Sequence, residues 1–135
     1  MTTPIKDLRG PTDAILAKLK ELAITDNEKL LAAAATPAQR KELAAGCGCT
    51  PTDILQLANR ADLARVKGIA GVYSDLLEHA GVDTVKELAT RRPDNLLTKL
   101  EEANAANQLT QRMPTTTMVE EWVNTAKGLP AILTY

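Results

Sequence analysis

The stretch Arg65-Val66-Lys67-Gly68-Ile69-Ala70-Gly71 carries the residue types of an anion site. Glycines ahead of a helix permit positive φ and let a ligand come close to the backbone. The first N–H groups of the helix then point outward with a partial positive charge, which attracts phosphate. Arg65 and Lys67 lead into the glycines, and Arg91 and Arg92 follow one hairpin later. A sparser version stands at Arg9-Gly10-Pro11-Thr12, where Pro11 has no N–H to give. Arg9, Gly10, Arg65, Lys67, Gly68, Ile69, Ala70, Gly71, Arg91 and Arg92 are therefore the candidate phosphate-contacting residues. The same glycines also serve a second reading, a tight turn that closes two helices together. Ala70 stands where a second glycine would strengthen the first reading, and seven Lys or Arg meet six Asp or Glu across residues 60–99. Both facts weigh toward the turn.

Other reactive side chains are few. A structural zinc takes about four Cys or His ligands, whereas the chain offers Cys47, Cys49 and, on a different predicted helix, His79. Cys47-Gly48-Cys49 reads as small residues in a glycine-rich turn, with a redox pair or a site shared between two copies as alternatives. No metal or cofactor is expected. His79 falls near the end of its predicted helix, where a cation complements the dipole. Glu101-Glu102 and Glu120-Glu121 are adjacent on helices and point in two directions each, as solvated surface does. The chain has no Ser-His-Asp arrangement, no phosphate-loop lysine and no carboxylate dyad at usable spacing. A non-catalytic protein is expected.

The composition limits the partners. A net charge of −1 supplies no global field toward nucleic acid or anionic lipid. No apolar run approaches the roughly 20 residues of a membrane span, and MTTPIKDLRG lacks the apolar core of a signal peptide. A cytoplasmic protein without membrane contact is the expectation. The 135 residues suit one domain. Phe is absent, Trp122 stands alone and Tyr occurs only at 73 and 135. Leu and Ala supply the apolar bulk, both strong helix formers. Trp122 reads as a core anchor, with an interface hot spot as the alternative, and Tyr73, directly behind the hairpin, as cover for the turn or as a partner contact.

These residues need helices to position them, and the punctuation is legible. Helices are expected over 11–23, 27–35 and 37–45, the last closed by Gly46-Cys47-Gly48, and then from Thr50-Pro51 with Ile54, Leu57, Ala58 and Ala61 inward. Beyond the second glycine turn, Arg92-Pro93 opens a helix with Leu96, Leu97, Leu100 and Ala103 inward. Met113-Pro114 breaks it, and Thr115, Thr116 or Thr117 caps a last helix through Lys127. The chain also repeats itself. At an offset of 58, Leu8-Arg9-Gly10 lies over Val66-Lys67-Gly68, and Leu19, Ile24 and Leu30 lie over Leu77, Val82 and Leu88. Thr36-Pro37 matches Arg92-Pro93, and ILQLANRA matches VEEWVNTA, pairing Leu57 with Trp122. One all-α domain of about eight helices follows, in two halves, 5–62 and 63–128, with a tail at 129–135. The halves are short, so one shared core is expected.

Glycine turns between paired helices are how helix–hairpin–helix modules hold DNA phosphates. LRGPTDAILAKLKELAI, TPAQRKELA, DLARVKGIAGVYSDLLEHAGVDTVKELA, RRPDNLLTKLEEANA and MVEEWVNTAKGLP together resemble domain-of-unknown-function family 4332, over about residues 5–130. The resemblance implies tandem helix–hairpin–helix-like motifs, an all-α fold and no established catalytic activity. It makes weak, sequence-independent binding of a nucleic-acid backbone the first functional expectation. A protein-interaction scaffold or adaptor is the alternative, followed by a small nucleotide-like anion held between the hairpins. The oligomeric state is left open.

Overall fold

A computed structural model describes residues 2–135. A 3-10 turn at Ile5–Asp7 precedes eight α-helices among the described residues. These are α1 (Asp13–Glu21), α2 (Asn27–Ala33), α3 (Pro37–Cys47), α4 (Pro51–Leu63), α5 (Gly71–His79), α6 (Val85–Ala89), α7 (Pro93–Asn107) and α8 (Thr116–Lys127). The all-α expectation holds.

Threonine side chains set most of the starts. Thr36 and Thr50 each accept from the N–H three residues on, and Gln39 and Asp53 return the contact to the threonine N–H, closing two capping boxes ahead of Pro37 and Pro51. Thr115 is the threonine that caps α8. α1 begins two residues later than the proline position suggests, because Thr12 accepts from the Ile15 N–H and leaves Pro11 outside the helix. Gly48 ends α3 in the left-handed conformation at φ 69°.

The repeat is present in three dimensions. α1 and α5 have the same length and lie at the offset of 58 that relates the sequences. Gly10 and Gly68, related by that offset, have φ of 110° and 93°. Ala23 and Gly81 are related in the same way and have φ of 61° and 93°. Their helix ends close alike: the Ile24 N–H donates to the Leu19 carbonyl and the Val82 N–H to the Leu77 carbonyl, each at 2.9 Å. Helix packing also repeats, since α1 meets α3 while α2 and α3 meet α4, and α5 meets α7 while α6 and α7 meet α8.

The buried residues form two clusters and not the one shared core expected. The first gathers Ile5, Leu8, Leu19, Leu30, Leu31, Ile54, Leu57 and others up to Ala64. The second runs from Leu63 through Val66, Ile69, Leu76, Leu88 and Leu100 to Trp122, Val123 and Ala126. The change from one cluster to the other falls at the end of α4. Each half of four helices therefore buries its own apolar face. Trp122 occupies the place of Leu57 in the repeat and stacks at a tilt on Tyr73, ring centroids 5.3 Å apart. The tail does not trail away: Leu133 is buried in the first cluster.

Candidate binding surface

The second glycine turn is built by short backbone bonds. The Val66 N–H donates to the Leu63 carbonyl and the Ile69 N–H to the Val66 carbonyl, each at 3.1 Å. Val66 and Ile69 point into the second cluster, so Lys67 and Gly68 are left at the surface. Gly68 holds φ 93°, and a Cβ there would stand 3.2 Å from Trp122 Nε1. A side chain at this position would be strained both by backbone and by space. Ala70 lies just ahead of α5 and gives it no side-chain cap.

Gly71 faces inward. A Cβ on it would run into the Asp7 carbonyl oxygen, with Leu8 Cα 3.7 Å away. The start of α5 is thus pressed against the 3-10 turn of the first half. Gly71 is a glycine because another backbone comes close, and that backbone belongs to the chain itself. Gly10 is related: a Cβ there would meet Arg60 Nη1 at 2.8 Å.

The cations divide into engaged and free. Arg9 Nη1 lies 3.2 Å from Asp75 Oδ2 and also donates to the Leu109 carbonyl. Arg65 Nη1 reaches Asp62 Oδ1 at 2.9 Å, and the other oxygen of Asp62 accepts from the Val85 N–H, which starts α6. Arg91 Nη2 bonds Glu87 at 2.8 Å and the Gly81 carbonyl at 3.1 Å. Arg92 is 76% exposed and reaches Asp94 only at 3.6 Å. Lys67 is exposed and makes no ion pair among the described residues. The structure therefore gathers Arg65 through Gly71 on one turn, while Arg91 and Arg92 lie beyond α6.

Arg60, Asp75 and Glu78 form a cluster that the sequence reading does not single out. Arg60 Nη2 lies 2.9 Å from Asp75 Oδ1 and 3.2 Å from Glu78 Oε2. Glu78 Oε2 and Arg60 Nε are buried without an aligned hydrogen-bond partner. Burial pushes the Glu78 carboxyl above its ordinary value, Arg60 opposing and Asp83 and Asp75 adding to the rise. His79 Nδ1 lies 2.8 Å from the Asp75 carbonyl, at the helix end where the sequence places it. The repeat held a signal for this cluster, since Arg60 stands over Thr125 and Asp75 over Ala17.

A groove of about 590 Å³ opens beside the second turn, where the halves and the tail meet. Leu31, Ala64, Leu129 and Ile132 give it apolar walls, and Lys67, Arg65 and Glu28 also line it. Cys47 and Cys49 lie elsewhere, at the end of α3 and just beyond it, and no group of three metal-ligating side chains occurs among the described residues. Burial raises both thiols, which disfavours the reactive thiolate. No described helix is long and apolar enough to cross a membrane.

Against known families, the model of a domain of unknown function, DUF4332, matches residues 9–129. No curated protein and no solved structure matches the chain.

Proposed function

The chain belongs to the DUF4332 family, and we propose that it is a non-catalytic binding module that takes up a segment of a protein partner. In this reading its helix–hairpin–helix-like turns serve chiefly to join its own helices. The observation that carries it is the engagement of the arginines at and near the turns by carboxylates of the same chain: Arg9 and, from α4, Arg60 by Asp75, Arg65 by Asp62, Arg91 by Glu87. A phosphate would have to take these guanidinium groups from their partners. Parting Arg60 or Arg65 from a buried carboxylate costs about 3–5 kcal/mol, more than an exposed phosphate contact returns.

The groove of Leu31, Ala64, Leu129 and Ile132 supports the choice of partner. Apolar side chains of an amphipathic segment fill it, and an acidic residue of that segment faces Lys67. A photo-crosslinking residue in place of Ala32, which also lines the groove, is expected to give a discrete protein adduct that Lys67→Glu weakens. Adducts indifferent to Lys67→Glu, or no adduct at all, contradict the reading.

Weak, sequence-independent contact with a nucleic-acid backbone is the second reading, favoured by Lys67 and Gly68 standing exposed side by side on one turn. One or two phosphates would be touched, so the affinity would fall by about one to two powers of the salt concentration.

A further inference from the structure

Arg40 sits on α3 and is only 4% exposed. Among the described residues its hydrogen bonds go to carbonyls and to no carboxylate. Nη1 donates to the Ala34 and Ala35 carbonyls at 3.0 and 3.1 Å, and Nη2 donates to the Thr134 carbonyl at 2.6 Å. A buried cation without a counter-charge is costly unless its donors are well used. The repeat shows what an ordinary residue would be at this position. With Pro37 laid over Pro93, Arg40 falls on Leu96, which is buried in the second cluster. The first half therefore holds a rigid fork of donors where the second half holds leucine.

The fork is directed at the end of the chain. The Thr134 N–H donates to the Ala35 carbonyl at 2.8 Å, so this residue is held on both its backbone groups. Leu133 is buried in the first cluster. The Tyr135 ring lies under the Arg40 guanidinium, 5.8 Å from its centre, and the hydroxyl lies 3.5 Å from Asn59 Oδ1. Residues 129–133 have no regular secondary structure and cross from the second half to the first. This is the anatomy of a ligand on a tether: a buried apolar anchor, a paired backbone and an aromatic cap.

We propose that the first half carries a binding site for an extended peptide of the pattern leucine-threonine-aromatic, with Arg40 as its backbone-reading fork and residues 133–135 of the same chain as its occupant. The site takes the same segment of a second copy when the tether is released. It shares the tail with the groove at Lys67, whose walls include Leu129 and Ile132, but its test is read on Thr134 exchange and on peptide binding and does not depend on the partner proposed there.

Two full-chain substitutions, alone and combined, test it. Arg40→Leu installs the residue of the other half, so the fold is expected to persist with unchanged helicity. The Thr134 amide should then exchange with deuterium at least about tenfold faster, the loss of one part-buried, charge-assisted bond to the Thr134 carbonyl, while the α4 and α8 amides keep their rates. Thr134→Pro removes the donor to Ala35 and frees the site without touching Arg40. A fluorescent peptide of sequence LPAILTY is expected to bind Thr134→Pro saturably, to bind the wild type at least about tenfold more weakly because the attached tail competes, and not to bind the double variant. Unchanged Thr134 exchange in Arg40→Leu overturns the proposal. So does peptide binding that ignores Arg40, or a Thr134→Pro chain that keeps its helicity and binds no peptide.

Discussion

Arg60 Nη2 lies 2.9 Å from Asp75 Oδ1, and this contact fastens α4 of the first half to α5 of the second. Both side chains are nearly buried, at 11% and 9% exposed. Arg9 reaches the other oxygen of Asp75 from the first glycine turn. The two halves have separate apolar clusters, so this carboxylate is a principal polar joint between them. Asp75→Ala would leave Arg60 buried beside Glu78 alone, and is expected to lower the unfolding free energy by about 3–5 kcal/mol. Arg9 is 44% exposed, so Arg9→Ala should cost no more than about 1 kcal/mol. Chemical denaturation of the two variants checks the contrast.

Gly71→Ala places a methyl group against the Asp7 carbonyl. The backbone of the 3-10 turn has to move, and a loss of about 1–3 kcal/mol is expected, as for other overpacked sites. Ala70→Ser, one residue earlier and exposed, supplies the missing cap to α5 and should stabilise by about 0.5–1 kcal/mol. Thermal melts of both variants would show opposite signs. A neutral Gly71→Ala would mean that the joint between the turns is loose.

Ala23 has φ of 61°, while its counterpart Gly81 has 93°. The left-handed conformation costs a residue with a Cβ about 1–2 kcal/mol, and glycine gives back part of that gain through its freer unfolded chain. Ala23→Gly is expected to stabilise by about 0.5–1 kcal/mol, and Gly81→Ala to destabilise by a similar amount. Urea midpoints measure both.

Much of this architecture is legible in the residues, and the exceptions have a common cause. Thr36-Pro37, Thr50-Pro51 and the paired glycines announce helix ends because their chemistry is local. The offset of 58 places α1 over α5 because both halves solve the same local problem. What the sequence conceals is which distant group each polar side chain meets. Arg9 and Asp75 are 66 residues apart, and Arg40 and Thr134 are 94 apart. No periodicity encodes such pairs. They are marked instead where the repeat breaks: Arg60 over Thr125, Asp75 over Ala17 and Arg40 over Leu96. The glycine turn is legible as a motif, and Ala70 and the balanced charge weigh toward a closing turn, but the approach of the Asp7 backbone to Gly71 leaves the same signature as a ligand would. The second cluster is hidden for a related reason, since Leu63 ends a helix whose other buried apolar residues, Ile54, Leu57, Ala58 and Ala61, belong to the first.

Burial raises the Glu78 carboxyl above its ordinary value of 4.5. The folded state then holds that proton more tightly than the unfolded chain does. This contribution to stability is full below 4.5 and is lost as pH rises through the raised value. Glu78→Gln should therefore flatten the fall in stability above pH 4.5, with Arg60, Asp75, Asp83 and His79 left in place. Denaturation at a series of pH values gives the two slopes. Equal slopes in wild type and variant would contradict the environment described for Glu78.

The glycine turns join helices, and Arg9, Arg65 and Arg91 beside them are engaged within the chain, which leaves Lys67 exposed at the second turn. Fluorescence anisotropy of labelled duplex and single-stranded DNA and RNA, titrated with the protein from low to physiological salt, tests it most directly. No saturable binding is expected at physiological salt, and at low salt only a weak signal that wild type and Arg65→Ala share. Tight binding that falls steeply with salt and is abolished by both Lys67→Glu and Arg65→Ala would contradict it.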